Sequence, residues 1–324
     1  VKEEILNVLP TEIRKIIQQI EQKLSEQIEE IRIRENRPLE IVYSGHHAFL
    51  TIKGELTLDV KKSYLPTNED TMKMLNLISN HSLYRLEEEL KRGYITVHGG
   101  HRVGISGKVI MEKGEVKTIK DVTSFNIRIA KQKLGMADPL IPFLINLREM
   151  KVHNTLIISP PQCGKTTILR DLARQLGTGI SKFAFLAKKI GIVDERSEIA
   201  GSVRGVPQND VGLRTDVLDA CPKAEGMMMM IRSMSPDILI VDEIGRQEDT
   251  LAILEARNAG VQVIATAHGS DIHEIIKRPS LSSLIQQEIF TRYVILSRER
   301  GIGTIETILN EQLRPITGKV KNYV

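Results

Sequence analysis

At 324 residues the chain is long enough for two domains, each with its own core, and its 41% hydrophobic and 27% charged content is ordinary for a soluble globular protein. The net charge of +4 is spread evenly, with 23 basic against 21 acidic side chains in residues 1–150 and 22 against 20 in the remainder, so no basic half or tail announces nucleic acid. Aromatic residues make up only 4% and Trp is absent, which leaves a base-stacking platform poorly supplied.

Residues 11–26 read as one helix. Thr11 follows Pro10 as a candidate cap, and Ile13, Ile16, Ile17, Ile20 and Leu24 form a single apolar stripe. Ile31–Ile33 and Leu39–Tyr43 alternate like strands, and Phe49–Ile52 with Leu56–Leu58 flank Lys53-Gly54-Glu55 as a hairpin. Residues 68–91 read as helix in two pieces, including the acidic run Glu87-Glu88-Glu89 as a solvated face, and stop at Gly93, a candidate C′ glycine. Strands are expected at Tyr94–Val97, Val103–Met111, Val116–Ile119 and Ser124–Ile129. Helices and strands do not alternate regularly here, which predicts a smaller N-terminal α+β domain over residues 1–130 with an antiparallel sheet. Gly135, Pro139 and Pro142 mark residues 131–152 as a linker.

From residue 153 onward short apolar strands recur at Thr155–Ile158, Ile190–Val193, Ile238–Val241 and Gln262–Ala265. Helical segments at 165–176, 217–234 and 248–259 separate them, so residues 153–324 predict an α/β domain with a parallel sheet covered on both faces. Met227–Met230 belongs to one of these helices as core packing, where Met fills gaps.

The first chemical signal lies where the strand before residue 160 turns into a helix. Ser159-Pro160-Pro161-Gln162-Cys163-Gly164-Lys165-Thr166-Thr167 has the strand–loop–helix context of a phosphate-binding loop. Backbone N–H groups at a helix start wrap phosphates, Lys165 adds a positive charge, and the Thr166 hydroxyl can ligate Mg²⁺. Ser159 stands where the pattern usually has its first Gly. Asp242-Glu243 is the second signal, because an apolar strand delivers two adjacent carboxylates to its C-terminal edge, where α/β sheets bind ligands. Asp242 is placed to hold Mg²⁺ and Glu243 to orient or deprotonate a water. Asp194-Glu195-Arg196 repeats the arrangement on another strand as an accessory acidic box would, the alternative being a structural salt bridge of Arg196 with one of these acids. Thr266 and His268 end a fourth strand on the same edge, placed to sense a terminal phosphate.

Cys163 and Cys221 lie far apart without a His/Cys cluster and give no zinc spacing, so reduced thiols in a cytosolic protein are expected. No signal-peptide pattern and no apolar run of membrane-span length is present, so any work at a membrane is expected through a recruiting partner.

Several blocks taken together carry more identity than the phosphate loop alone. Glu30–Arg34, Leu86–Ile95, Gly99–Gly104, Thr123–Ala130, Val193–Gly201 and Val217–Gly226 resemble the stage III sporulation protein AA family of endospore-forming bacteria. That family is similar to the traffic ATPases of type II and type IV secretion and of pilus retraction. The resemblance implies a RecA-like P-loop ATPase domain behind an N-terminal α+β domain, with ATP and Mg²⁺ bound. It further implies a hexameric homo-oligomer in the mother-cell cytoplasm, recruited peripherally to the septal membrane by channel proteins facing the forespore. Lys165 and Thr166 match the phosphate-loop pair, Asp242-Glu243 the second acidic motif, Glu195 an acidic-box glutamate and His268 a histidine box. Those enzymes often carry Gly-Glu rather than Asp-Glu in the second motif, so Glu195 and Glu243 compete for the role of base. Arg128, with Arg102 as the alternative, is the candidate to reach a neighbouring subunit's nucleotide. Two other functions compete with the motor: a nucleic-acid translocase on a similar core, disfavoured by the even charge, and a non-hydrolysing assembly protein, disfavoured because every hydrolysis role is filled.

Overall fold

Alternating apolar residues build the first sheet. In the computed structural model, which describes residues 1, 3–79, 90, 91, 93–112 and 114–316, they form seven strands. These are β1 (Ile28–Arg34), β2 (Glu40–Tyr43), β3 (His46–Leu50), β4 (Leu56–Thr57), β5 (Tyr94–Val97), β6 (His101–Glu112) and β7 (Glu115–Arg128). Every pairing in this sheet is antiparallel, in the order β4-β3-β2-β1-β7-β6-β5. Ile31, Ile33, Ile41, Leu50, Val103, Phe125 and Ile127 point to one face and meet Ile5, Leu9, Ile13, Ile16 and Ile17 from the N-terminal helices. This is the period-2 burial that an α+β sheet with one covered face requires.

Three local expectations change. The helix over residues 11–26 breaks into Thr11–Gln18 and Gln22–Ser25, and Pro10 rather than Thr11 occupies the N-cap, because its extended ψ of 151° ends the preceding turn. The two strands expected at 116–119 and 124–129 are one continuous strand, β7, paired along β6. Only Asn68–Ser79 of the 68–91 helix, and Leu90 and Lys91 before Gly93, fall among the described residues. The second piece and its Glu87-Glu88-Glu89 run lie outside them.

The chain divides into two compact units, Val1–Lys131 and Gln132–Val324. The stretch expected as a linker is therefore part of the second unit from Gln132 onward. Ala137, Leu140, Ile141, Leu144 and Ile145 are buried in that unit's core, and β8 (Ile145–Asn146) pairs with β9 (Lys151–Val152). The apolar residues around Pro139 and Pro142 supply the reason, since they gain more from packing than a solvated linker would. Asp171, buried on the helix after the phosphate loop, fixes this stretch by accepting from Ala137 N at 2.9 Å, and it also holds Arg174 and Gln175.

The second unit carries a seven-stranded sheet: β10 (Thr155–Ser159), β11 (Ile190–Asp194), β12 (Thr215–Asp219), β13 (Ile238–Val241), β14 (Gln262–His268), β15 (Arg292–Ser297) and β16 (Thr304–Leu309). The order is β12-β11-β13-β14-β10-β15-β16, parallel throughout except for β16. Consecutive residues of the central strands feed opposite cores, Ile157, Ile192 and Ile240 into one and Leu156, Ile158, Val193 and Leu239 into the other. Residues 215–219 form an edge strand where a helix was expected. The helix starts at Lys223, after Pro222, whose ring biases Cys221 away from helical backbone. Met227 and Met230 of that helix are buried in the core, as packing residues. Among the described residues no helix is long and apolar enough to cross a membrane.

Asp171→Ala removes the acceptor of a buried backbone N–H and frees Arg174. We expect it to cost about 1–3 kcal/mol, read as a lower urea midpoint for the second unit at unchanged m-value.

Candidate nucleotide-binding site

The loop between β10 and the Lys165–Thr178 helix turns on two left-handed residues, Gln162 at φ 61° and Gly164 at φ 89°. Glycine is needed at 164, because a Cβ there would stand 2.9 Å from Ile302 Cγ2. Ile302 belongs to the β15–β16 turn, which clasps the loop: Gly303 N donates to Cys163 O at 3.1 Å, and Arg298 Nη1 to Gln162 Oε1 at 3.3 Å. Pro160 and Pro161 carry the chain out of β10, Cys163 is buried beneath the loop, and Thr167 is half-buried in the first helical turn. The first N–H groups of this helix have no acceptor within it, the usual basis of anion binding at such a terminus.

Lys165 is only 5% exposed. Its ammonium donates to Ser159 O at 3.2 Å, Ser159 Oγ at 3.3 Å and Pro160 O at 3.1 Å, and it lies 3.3 Å from His268 Nδ1. Ser159, the departure from the usual first Gly, thus contributes a hydroxyl to the lysine's cradle. Burial pulls the Lys165 pKa down, opposed by the nearby Asp242 and Glu243 carboxylates.

β14 lies between β10 and β13, and its C-terminal residues join the two acidic and basic signals. Thr166 Oγ1 donates to Asp242 Oδ2 at 2.8 Å, and Thr266 Oγ1 donates to Asp242 Oδ1. Burial pushes the Asp242 carboxyl up, and the two hydroxyl bonds oppose that shift. Thr266 Oγ1 also accepts from Glu243 N at 2.8 Å, and Thr266 O accepts from Ile244 N at 2.8 Å. These bonds hold Glu243 in the left-handed region, at φ 53°, a cost tolerated where a site needs the side chain aimed. Glu243 Oε1 lies 2.8 Å from His268 Nε2, and Oε2 lies 2.9 Å from Arg196 Nη1. A neutral imidazole with its proton on Nε2 satisfies both of the ring's neighbours, accepting from Lys165 and donating to Glu243.

The β11 loop forms the other wall of an open cleft of about 250 Å³, lined by Asp194, Glu195, Arg196, Glu198, Lys223, Asp242 and Glu243. Asp194 is an anchor rather than an open acid. Its carboxylate accepts from Glu198 N, Ile199 N and Ala200 N at 2.8–3.0 Å, while burial pushes its pKa up against those bonds. Glu195 is ion-paired with Lys223. Arg196 pairs with neither Asp194 nor Glu195 beside it in the sequence but with Glu243. Arg170 and Lys223 had no sequence signal. Arg170 grips Ile199 O and Glu198 O, both at 2.6 Å, and such carbonyl partners leave no trace in a residue pattern.

Lys165, Thr166, Asp242, Glu243 and His268 are thus brought together, with Glu195 on the same cleft. Arg128 belongs to the first unit, where it is 67% exposed and its Nε lies 3.5 Å from Glu30 Oε1 on the neighbouring strand. Arg102 stacks on Tyr94, 4.0 Å from the ring centroid. The hydroxyl of Thr166 and the carboxylate of Asp242 already meet, and Mg²⁺ typically takes one or two carboxylates beside phosphates and waters. The two residues fit that ion, and the loop fits a polyphosphate. Thr266→Val keeps the shape but strips the bond to the Asp242 carboxylate and the one from the Glu243 backbone N–H. The expected cost is about 1–3 kcal/mol, measured by denaturant unfolding.

The model of the family described as sporulation stage III, protein AA matches residues 1–316. Stage III sporulation protein AA of Bacillus subtilis (strain 168) is 54% identical over 308 residues, which cover 95% of each chain. Among solved structures, the Legionella pneumophila ATPase DotB is similar at TM-score 0.55 and 16% identity, over 88% of this chain and 77% of its own. The pilus retraction motor PilT with bound ADP is similar at TM-score 0.53 and 15% identity, over 84% and 75%. At such identities the likeness speaks for the fold, an N-terminal α+β domain followed by a RecA-like domain. With a family match that runs through both sheets and through every residue of the cleft, the chain belongs to the stage III sporulation protein AA family.

Proposed function

We propose that this protein is a Mg²⁺-dependent ATPase, cleaving ATP to ADP and phosphate. We propose further that it works in the mother-cell cytoplasm as a hexameric ring, recruited to the septal membrane by channel proteins whose assembly or transport it energises. The observation that supports hydrolysis best is the unbroken run Lys165–His268–Glu243 beside Thr166–Asp242 at one sheet edge. Loop N–H groups and Lys165 bind the phosphates. Thr166 and Asp242 hold the cation, which when bound offsets the negative charge of the phosphates. Glu243 orients a water and takes its proton as the water oxygen bonds to the terminal phosphorus. The bond to the β–γ bridging oxygen breaks, and ADP leaves with the electron pair.

Between the two candidate bases the reading favours Glu243. Both acids are ion-paired, but Glu195 is held by Lys223, whose side chain is only 10% exposed, whereas the partner of Glu243 is Arg196, which is 63% exposed. Arg128 is proposed to supply a guanidinium to a neighbouring subunit's nucleotide. Its exposed pair with Glu30 is of the weak surface kind and leaves the group open to exchange.

Lys165→Ala should reduce ATP turnover to background in a folded protein, and full turnover in that variant ends the proposal. Glu243→Gln should keep ATP binding and lose about 10²–10⁴ in rate, while Glu195→Gln stays active. The reverse pattern assigns the base to Glu195. Mixing Lys165→Ala with Arg128→Ala subunits should restore turnover that neither has alone, since a trans arginine is worth about 10³–10⁵. Mixed oligomers that form and stay inactive remove Arg128 from the mechanism. Marked stimulation by DNA or RNA would favour a translocase instead.

A further inference from the structure

Both oxygens of Glu243 are engaged, Oε1 by His268 Nε2 at 2.8 Å and Oε2 by Arg196 Nη1 at 2.9 Å. Each carboxylate oxygen thus has a nitrogen neighbour that competes with a water for it. The two ion pairs on the cleft differ in kind. Lys223, paired with Glu195, keeps only 10% of its side chain exposed, so that pair is part of the wall. Arg196 is 63% exposed and its pair with Glu243 is at the surface, where such contacts are weak and exchange readily.

The backbone that carries Arg196 is held firmly. Asp194 accepts three N–H bonds from residues 198–200, Arg170 grips the carbonyls of Glu198 and Ile199, and Ser197 Oγ donates to Asp219 Oδ1 at 2.5 Å. The guanidinium can therefore change partner by side-chain rotation alone. A planar guanidinium that forms two parallel N–H bonds to a phosphate binds it better than it binds the single oxygen of a carboxylate that it meets here. A base that orients the attacking water sits one water away from the terminal phosphorus, so a cation touching that base is within a side-chain swing of the phosphate.

We propose that Arg196 is a cis-acting ligand of the terminal phosphate held in reserve on Glu243. Arrival of a nucleoside triphosphate draws the guanidinium to the phosphate and frees the carboxylate for water in the same movement. A diphosphate has no group to draw it, so Glu243 stays covered after phosphate leaves. The inference rests on the ATPase reading and adds a triphosphate sensor within one subunit, separate from the trans role of Arg128.

The test measures dissociation constants of the full chain for AMP-PNP and for ADP by calorimetry in four proteins: unaltered, Arg196→Ala, Glu243→Gln and the double variant. Glu243→Gln should bind AMP-PNP about tenfold tighter, the worth of one charge-assisted bond, with ADP unchanged. Adding Arg196→Ala should erase that gain. Turnover should fall about 10²-fold in Arg196→Ala and recover in part in Arg196→Lys. Equal AMP-PNP binding by Glu243→Gln and the double variant, or unaltered turnover in Arg196→Ala, overturns the sensor and leaves the ATPase reading standing. An equal loss of AMP-PNP and ADP affinity in Arg196→Ala overturns it too, as a loop effect. Binding of neither nucleotide by the unaltered chain removes the ATPase reading and the sensor together.

Discussion

Burying a charge is expensive unless partners replace its water, and this site withdraws an ammonium and a carboxylate from water beyond the ends of two strands that flank β14. Lys165 is met by three oxygens of its own loop and by His268, and Asp242 by the hydroxyls of Thr166 and Thr266. The strand order makes this possible. β14 lies between the strand that ends in the loop and the strand that ends in Asp242, so its last residues reach both. Thr266 does two tasks at once, since the oxygen that donates to Asp242 also fixes the backbone of Glu243. The aim of Glu243 and the hydrogen bonding of Asp242 are thus not independent, and a shift of β14 against β13 alters both.

The walls of the site are rigid for reasons unrelated to phosphate chemistry. The central strands are buried on both faces, which is why they read as continuous apolar runs. Asp194 and Arg170 spend their charges on backbone groups of residues 198–200. Arg196, whose side chain is 63% exposed, stands on this fixed backbone.

Much of this was legible in the residues. The phosphate loop, Asp242-Glu243 and the β14 end were identified because each follows an apolar strand whose end must lie at one sheet edge. Arg196 pairs not with Asp194 or Glu195 beside it but with Glu243 at the end of another strand, a partner that sequence proximity does not indicate. What escaped were features with no periodic signal. β12 is a half-polar edge strand, and Val217 and Leu218 extend the apolar pattern of the following helix back into it. Residues 132–152 contain the glycine and prolines of a linker, yet the apolar residues between them are core. Ser159 departs from the usual first Gly of the loop, and its contact with Lys165, made only in the folded chain, leaves no mark in the residue pattern.

The clasp between the phosphate loop and the β15–β16 turn joins Cys163 to Gly303, and Gly164 abuts Ile302. On a ribosome the loop emerges long before its clasp. Chains grow at about 5–20 residues per second, so the loop waits many seconds without the turn that holds it. A nascent chain halted before residue 303 has β10, β11, β13 and β14 in hand and still lacks the finished loop. The loop therefore reaches its clasped form only after the β15–β16 turn has been made, well behind the strands that flank it.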